Sequence, residues 1–418
     1  MFKKISHITI NNTQQLLVLI DQALVSGVNF VLALLLARFL GVENFGIFAF
    51  CWMLVLFVSS IQLAFITAPL FTIFPKHENR ENYLKSVHSI QLGFSILTFS
   101  ICFVVVKCVF LYNPGLEIKG VLYSLPLVAA LFVLQDFYRR VNFTLKNPFK
   151  SLIADSIAYG LQPIVVLGLN YLNILSINHT LLAISALFGG AILFNFPKVQ
   201  FTTELLMIKN TITENWSFSK YLVGTALLQW VSGNFFIIVA GGLLGPVAIG
   251  AIRIAQNIVG VLHVLFLALE NIIPIKGAEL LKAQGSEKTV AYFKSMFLIG
   301  GVITAIILTT IALTRTQIIT MFYGDEYLQY ANVLLGFTGL YVLVFIGTML
   351  GFVIRTFEMN QLFFWSYIVT TVFSLLAAKL IITQMGIYGV LVGLIFTQVI
   401  NISFYVIKLN SKLNTLWK

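Results

Sequence analysis

Polar side chains recur along one face of a predicted helix that spans residues 249–273, a stretch otherwise rich in isoleucine, valine and leucine. At 100° per residue they fall within an arc of about 140°. An arginine accompanied by amides is a donor set that suits anionic oxygens, phosphate above all. The pattern therefore predicts the wall of a polar cavity that binds an anionic ligand. Its members are Arg253, Gln256, Asn257, Gly260, His263, Glu270 and Asn271.

The alternative is that these side chains have structural roles in the membrane protein and do not bind a ligand. Arg253 and Glu270 lie near opposite ends of the predicted helix and could extend beyond the apolar layer. His263 would then be a buried, neutral histidine bonded to a neighbouring helix. It is the hardest of the set to explain in this way, because it lies near the middle of the predicted helix.

Further charged residues lie at or near the ends of other predicted helices. If Arg38 and Lys379 point inward with Arg253, they make one cationic cavity for a pyrophosphate or an acidic sugar; otherwise each faces lipid headgroups. Three carboxylates lie near the ends of predicted helices on the opposite side of the apolar layer from these cations. They could exchange protons if burial disfavours their charge, or they could pair with lysines. These candidates for ion coupling are Glu270, Asp21 and Asp155.

The motifs of common enzyme classes are missing from the sequence. There is no glycine-rich phosphate loop followed by Lys-Ser/Thr, which argues against ATP hydrolysis. The five histidines are scattered and the three cysteines lie in apolar runs, so neither a metal site nor a disulfide framework is predicted. We therefore expect no enzymatic activity, no cofactor and no metal.

The composition indicates a protein that folds in lipid. Hydrophobic residues make up 59% of the chain and charged residues only 10%, against about 25% charged residues in soluble domains. Apolar stretches of ~20 residues can cross ~30 Å of hydrocarbon, and helices satisfy their own backbone there. Twelve such spans are predicted, at roughly 16–38, 46–72, 87–111, 121–144, 152–172, 180–197, 221–244, 249–273, 292–313, 331–355, 361–383 and 387–407.

A repeated pattern divides these spans into two halves. The sequence Leu-Gly, four residues, Gly occurs at 40–46 and again at 244–250, in a chain of 418 residues. Such a repeat is typical of duplicated membrane transporters. Each pair of glycines would let a helical hairpin turn tightly and pack closely, which makes these residues structural: Gly41, Gly46, Gly245 and Gly250. The predicted domains are a six-helix lobe at 1–197, a cytoplasmic linker or interfacial helix at 198–220 and a second six-helix lobe at 221–418.

The distribution of lysine and arginine predicts the orientation in the membrane. With the N-terminus in the cytoplasm, 20 of the 26 basic residues lie in cytoplasmic segments, as the positive-inside rule requires. Both termini are therefore expected in the cytoplasm. The net charge of +11 is then explained by contacts with anionic membrane lipids, and no nucleic-acid partner is predicted.

Three passages carry a resemblance to a known family: Ala37–Phe48 with its Ala-Arg, Leu-Gly and Phe-Gly pairs, Phe322–Tyr327 followed by Ala331, and Gly386–Val390 with Gly393. Together they resemble the polysaccharide transporter (Wzx-type flippase) branch of the multidrug/oligosaccharidyl-lipid/polysaccharide exporter superfamily. The resemblance implies an all-α membrane protein with two six-helix lobes around a central cavity that opens alternately to each side.

The resemblance also implies a substrate and a location. Members of the family carry an undecaprenyl-pyrophosphate-linked oligosaccharide repeat unit, for O-antigen lipopolysaccharide or capsule, from the cytoplasmic to the periplasmic leaflet of the bacterial inner membrane. An ion gradient is the implied driving force. A polysaccharide polymerase and the chain-length machinery are the implied partners.

Two other functions stay open at this point. The multidrug branch of the same superfamily exports small amphiphiles, although a cationic pathway would disfavour cationic drugs. A membrane polymerase or glycosyltransferase would need a sizeable outer loop with catalytic acidic or arginine groups. The longest predicted outer loop, 314–330, has only Arg315, Asp325 and Glu326, so we expect a transporter and not an enzyme.

Overall fold

The protein is helical over nearly all of the part that the structure describes. The computed structural model describes residues 2–112, 121–196 and 201–416 of the chain. The domain boundary predicted at 197/198 lies outside these residues.

The helices form two compact units. Unit 1 consists of Met1–Gly41 and Ile47–Leu227, and unit 2 of Val42–Gly46 and Leu228–Lys418. The short segment Val42–Gly46 therefore groups with the second half of the chain. The lobe boundaries derived from the sequence stay a prediction.

Unit 1 contains two π-helical turns, Leu63–Thr67 and Ser156–Gly160, which join neighbouring helices. Such turns often occur at functional sites, because the wider turn redirects side chains. The helices of unit 1 are α1 (Phe2–Gln62), α2 (Ala68–Ile73), α3 (Arg80–Tyr112), α4 (Val121–Thr144), α5 (Pro148–Asp155), α6 (Gln162–Tyr171), α7 (Ile177–Asn195) and the first part of α8 (Leu205–Leu244).

Unit 2 continues from the second part of α8. Its remaining helices are α9 (Pro246–Val259), α10 (Leu262–Leu313), α11 (Arg315–Phe322), α12 (Ala331–Thr356), α13 (Gln361–Met385) and α14 (Ile387–Leu416).

The described ranges hold nine helices that are long and apolar enough to cross a membrane. Two of them, α1 and α10, contain a glycine with non-helical backbone, Gly41 and Gly285, and so each provides two spans. The 24-residue helix α4, about 36 Å long, adds another. Each of the twelve predicted spans therefore corresponds to helical structure, and the predicted all-α, multi-pass membrane fold is confirmed.

Equivalent turns of the sequence repeat have the same backbone conformation. Gly41 has φ 74° and ψ 167°, and Gly245 has φ 85° and ψ 178°. This region of φ/ψ space is essentially restricted to glycine, because a Cβ atom would clash with the backbone. Nothing lies within 4 Å of a methyl group placed on either residue, so it is the conformation and not crowding that requires glycine here.

The second glycine of each repeat is required for a different reason. A methyl group on Gly46 would lie 2.0 Å from the carbonyl oxygen of Pro246, and one on Gly250 would lie 2.3 Å from the carbonyl oxygen of Val42. The two contacts are reciprocal. Gly46 packs against the carbonyl group of Pro246, four residues before Gly250, and Gly250 packs against the carbonyl group of Val42, four residues before Gly46. Backbones approach this closely only where both helices lack a side chain.

The segment predicted as a linker is part of a long helix from Leu205 onward. Helix α8 has 40 residues and is about 60 Å long, twice the hydrocarbon thickness. Its first part packs within unit 1, where the Tyr83 hydroxyl donates to Oδ1 of Asn215 (2.9 Å) and Trp216 meets the edge of Phe65. The residues between Leu205 and Lys220 are thus continuous with the predicted span at 221–244.

Candidate functional site

The polar helix predicted over 249–273 is interrupted in its middle. Helix α9 ends at Val259 and α10 begins at Leu262, and the His263 amide donates to the Gly260 carbonyl (2.9 Å) in a tight turn. A methyl group on Gly260 would lie 2.9 Å from the Gln256 carbonyl oxygen. Gly260 and Val261 keep right-handed helical dihedrals, so the interruption is one tightened turn, and the polar arc stays a prediction.

Arg253 lies in α9, before the interruption, and binds only neutral groups among the described residues. Its Nη1 donates to Oε1 of Gln256 (2.8 Å), and its Nη2 donates to Oδ1 of Asn234 in α8 (3.1 Å). No described carboxylate lies within 4.0 Å of the guanidinium. The side chain is half-buried, so its positive charge is held in place without being neutralised.

Asn257 contacts a tyrosine outside α9. Its Nδ2 donates to the phenol of Tyr323 (2.9 Å), which follows α11 and is buried. Burial raises the pKa of Tyr323 to about 12, and the hydrogen bond from Asn257 only partly opposes this shift. The phenol therefore keeps its proton at neutral pH.

His263 lies just beyond the interruption and is exposed, not buried. Its Nε2 is 3.2 Å from the hydroxyl of Tyr341 in α12, and the two rings meet edge to face. The alternative of a buried histidine is therefore wrong in its burial, although the bond to a neighbouring helix is present.

The two other predicted cations are exposed. Arg38 lies in α1 of unit 1, and Lys379 lies in α13 of unit 2. The hydrogen bonds of Arg253 do not include Lys379. A joint site of three cations stays a prediction.

Two of the three predicted acidic residues meet in unit 1. Asp21 of α1 and Asp155 of α5 are fully buried, and both contact Arg139 of α4. Nη2 of Arg139 donates to Oδ2 of Asp21 (2.6 Å). Its Nε lies 2.5 Å from Oδ2 of Asp155, without the alignment of a hydrogen bond. Gln135 donates to the other oxygen of Asp155 (2.6 Å).

This carboxylate cluster, formed by Asp21, Gln135, Arg139 and Asp155, has one cation for two anions. It also leaves acceptors without donors, since Oδ1 of Asp21 and Oε1 of Gln135 are buried with no hydrogen-bond partner among the described residues. Buried polar atoms of this kind are rare and call for an explanation. One additional proton would supply both the missing charge and a missing donor.

Arg139 was not identified as part of this site from the sequence. Its spacing from Asp136 indicates a local ion pair, but within the described ranges Asp136 forms its ion pair with Arg140 (2.7 Å). The carboxylate that Arg139 binds in α1 is 118 residues away. The only local signal is that two arginines follow one aspartate inside an apolar stretch.

Glu270, the third predicted acidic residue, has a different environment. It forms an ion pair with Arg355 of α12 in unit 2, and both side chains are about half exposed. Arg355 also lies over the ring of Phe363. The pair is charge-balanced, unlike the carboxylate cluster.

Comparison with known proteins identifies the family. A family model described as polysaccharide biosynthesis protein matches residues 35–269, more than half of the chain. This region includes both Leu-Gly turns and Arg253. No protein of curated function matches the sequence.

Solved structures show the same fold at low sequence identity. An inward-facing multidrug resistance MATE family transporter of the MOP superfamily has a TM-score of 0.76 at 13% identity, over 94% of this chain and 96% of that chain. The lipid II flippase MurJ in an inward closed conformation has a TM-score of 0.69 at 13% identity, over 94% of this chain and 87% of that chain. A MOP superfamily transporter from Pyrococcus furiosus Vc1 has a TM-score of 0.58 at 14% identity, over 98% of this chain and 94% of that chain.

These matches cover nearly the whole chain, so the chain has the two-lobe fold of the MOP superfamily. They also confirm the resemblance that the three short passages indicate. The match over residues 35–269 shows that this chain belongs to the polysaccharide biosynthesis protein family, and the solved structures show that it has the fold of MOP superfamily transporters.

Proposed function

We propose that this chain is a flippase that moves a lipid-linked oligosaccharide from the cytoplasmic to the periplasmic leaflet of the bacterial inner membrane by alternating access. The substrate is a repeat unit of O-antigen or capsule on undecaprenyl pyrophosphate, which a polymerase and its chain-length machinery would use on the far side. The family supports the polysaccharide, and a lipid II flippase of the same fold supports the lipid carrier.

The observation that carries the proposal is the environment of Arg253. A guanidinium inside a membrane span is costly unless its charge is compensated. Here the partners are two amide oxygens, from Gln256 and Asn234, which orient the group and leave it cationic. A pyrophosphate would supply the missing negative charge through short, charge-assisted hydrogen bonds. Arg38 and Lys379 are secondary candidates for the same role.

The same cation argues against the alternative of a multidrug exporter. The MATE family transporter of similar fold is described as a multidrug resistance protein, but a cationic drug would be repelled by the uncompensated guanidinium. A polymerase or glycosyltransferase is disfavoured by the transporter fold.

Arg253→Ala should reduce translocation by about tenfold to a hundredfold, the range expected when a hydrogen bond to a charged group is lost. Arg253→Lys should restore part of it, because the charge returns without the planar fork. The measurement is the leaflet distribution of lipid-linked repeat units in the producing strain, at equal protein level.

Arg315→Ala is the matched control, since Arg315 at the start of α11 donates to the backbone carbonyl of Ala312 at the end of α10 (2.9 Å), and its loss should leave translocation unchanged. Unchanged translocation in Arg253→Ala would place that side chain outside the pathway. If deletion of the protein leaves repeat units in the periplasm but unpolymerised, a polymerase is favoured instead.

For the driving force, the proposal places proton coupling at the carboxylate cluster. Asp21 and Asp155 share one guanidinium, so the ionised cluster carries one uncompensated negative charge in a buried site. Uptake of a proton removes that charge, and its release restores it. Glu270 is the weaker candidate because Arg355 already balances it.

Asp155→Asn should abolish the stimulation of translocation by an imposed pH gradient, because the neutral amide fixes the cluster in its charge-balanced state. Glu270→Gln should retain the stimulation. Both can be measured in inverted membrane vesicles that contain the strain's own lipid-linked repeat units. The opposite pattern, with stimulation lost only in Glu270→Gln, would move the coupling site to unit 2.

A further inference from the structure

Unit 2 carries an apolar groove between three of its helices, with a volume of about 430 Å³. This volume is within the range of small-molecule sites in proteins, about 300–1,000 Å³. Carboxylates are absent from its lining. We call it the α10–α12–α14 groove; its principal lining residues are Phe293, Lys294 and Leu298 of α10, Met349 of α12, and Leu409 and Asn410 of α14.

The floor of the groove is well packed, and its outer wall is open. Phe293, Met349 and Leu409 are buried at 5%, 3% and 5% exposure, whereas Leu298 is 66% exposed. In a membrane protein an exposed leucine faces lipid chains. The groove therefore opens toward the bilayer and not toward a closed interior.

Two polar side chains interrupt the apolar lining of the groove. Lys294 and Asn410 lie toward the end of unit 2 where the second arm of α10 begins and where α14 ends. The lining extends from Val290 to Leu298 on α10, about 12 Å along the helix, and Lys294 is at the midpoint of this stretch. Phe297 and Leu298 lie up to one turn further into the membrane than Lys294. The groove therefore places a cation beside an apolar surface, the combination that a lipid phosphate and its acyl chain require.

The charge of Lys294 selects the kind of lipid. Lys294 is exposed, and the distribution of basic residues predicts that the start of the second arm of α10 faces the cytoplasm. The cytoplasmic leaflet is rich in anionic lipid, and a lysine near its surface contributes about 1 kcal/mol of attraction. We infer that the α10–α12–α14 groove binds an anionic phospholipid of the inner leaflet, with its phosphate at Lys294 and Asn410 and an acyl chain along Phe297 and Leu298.

The test is native mass spectrometry of the purified protein after incubation with equal amounts of phosphatidylglycerol and phosphatidylcholine of identical chains. The wild type should retain about fivefold more phosphatidylglycerol, the ratio that one lysine provides. Lys294→Gln should bring the ratio close to one without reducing the total lipid bound. Lys408→Gln is the matched control, because Lys408 is exposed on α14 outside the groove lining, and it should keep the wild-type ratio.

A second variant tests the acyl-chain site independently of charge. Leu298→Trp should fill the groove and reduce retention of both lipids, and it should fold normally because Leu298 is mostly exposed. The inference is overturned if Lys294→Gln keeps the preference, if Lys408→Gln loses it equally, or if Leu298→Trp retains both lipids. It is also overturned if equimolar undecaprenyl phosphate displaces the phosphatidylglycerol, since the groove would then belong to the polyprenyl carrier.

Discussion

Arg139→Leu should leave little folded protein in the membrane, with a loss of stability of about 3–5 kcal/mol, the usual result of removing one partner from a buried ion pair. Asp21 and Asp155 are fully buried and form ion pairs with the same guanidinium. The substitution therefore leaves two buried carboxylates without their cationic partner. Against a total stability of about 5–15 kcal/mol, this is a large fraction. The measurement is the thermal unfolding temperature in detergent, together with the amount of monodisperse protein.

The charge-neutral triple variant Asp21→Asn, Arg139→Leu, Asp155→Asn separates charge from packing. Replacing all members of a buried ion pair is often nearly neutral, so this variant should recover most of the unfolding temperature that Arg139→Leu loses. Equal unfolding temperatures for Arg139→Leu and the wild type would show that the carboxylates find other partners, and the cluster would then be no ion site.

Gly46→Ala and Gly250→Ala should each lower the unfolding temperature and the yield of folded protein. The added methyl groups would meet backbone carbonyl oxygens at 2.0 and 2.3 Å, so one helix has to move away from the other. Forcing extra atoms into a packed site costs about 1–3 kcal/mol and occasionally more. Because the obstacle is backbone and not a flexible side chain, we expect the upper part of that range.

Gly27→Ala is the control that the chain itself provides. Gly27 lies inside α1 with nothing within 4 Å of an added methyl group, and alanine there should stabilise the helix by roughly 0.5–1 kcal/mol. If Gly46→Ala unfolds at the temperature of the wild type or of Gly27→Ala, the close approach at residues 42–46 is absent from the protein in solution.

The sequence predicts those features of the fold that depend on neighbouring residues. The length of each apolar run determines whether a helix can cross the membrane. The Leu-Gly repeat marks Gly41 and Gly245, both of which have positive φ. The repeat does not show that its first glycine is required for its backbone conformation and its second for close packing of two backbones. Both requirements lead to the same residue, glycine, so the sequence cannot distinguish them.

Features that depend on distant contacts are not predictable in this way. The partner of Asp21 lies 118 residues along the chain, and no spacing rule connects the two. The interruption at Gly260 escaped prediction because one glycine in an apolar helix costs only about 1 kcal/mol and is compatible with a continuous helix. Arg253 and Gln256 stay together because they lie on the same side of the interruption.

The reciprocal contact at Gly46 and Gly250 has a consequence for the origin of the chain. In an isologous interface, residue i of one copy meets residue j of the other and the reverse, and Val42 with Gly250 and Pro246 with Gly46 follow this rule within a single polypeptide. A symmetric dimer of six-helix chains would encode such an interface with one glycine, so that every mutation would act twice. The duplication that the sequence repeat predicts would encode it with two glycines, Gly46 and Gly250, so that each side of the contact can change separately.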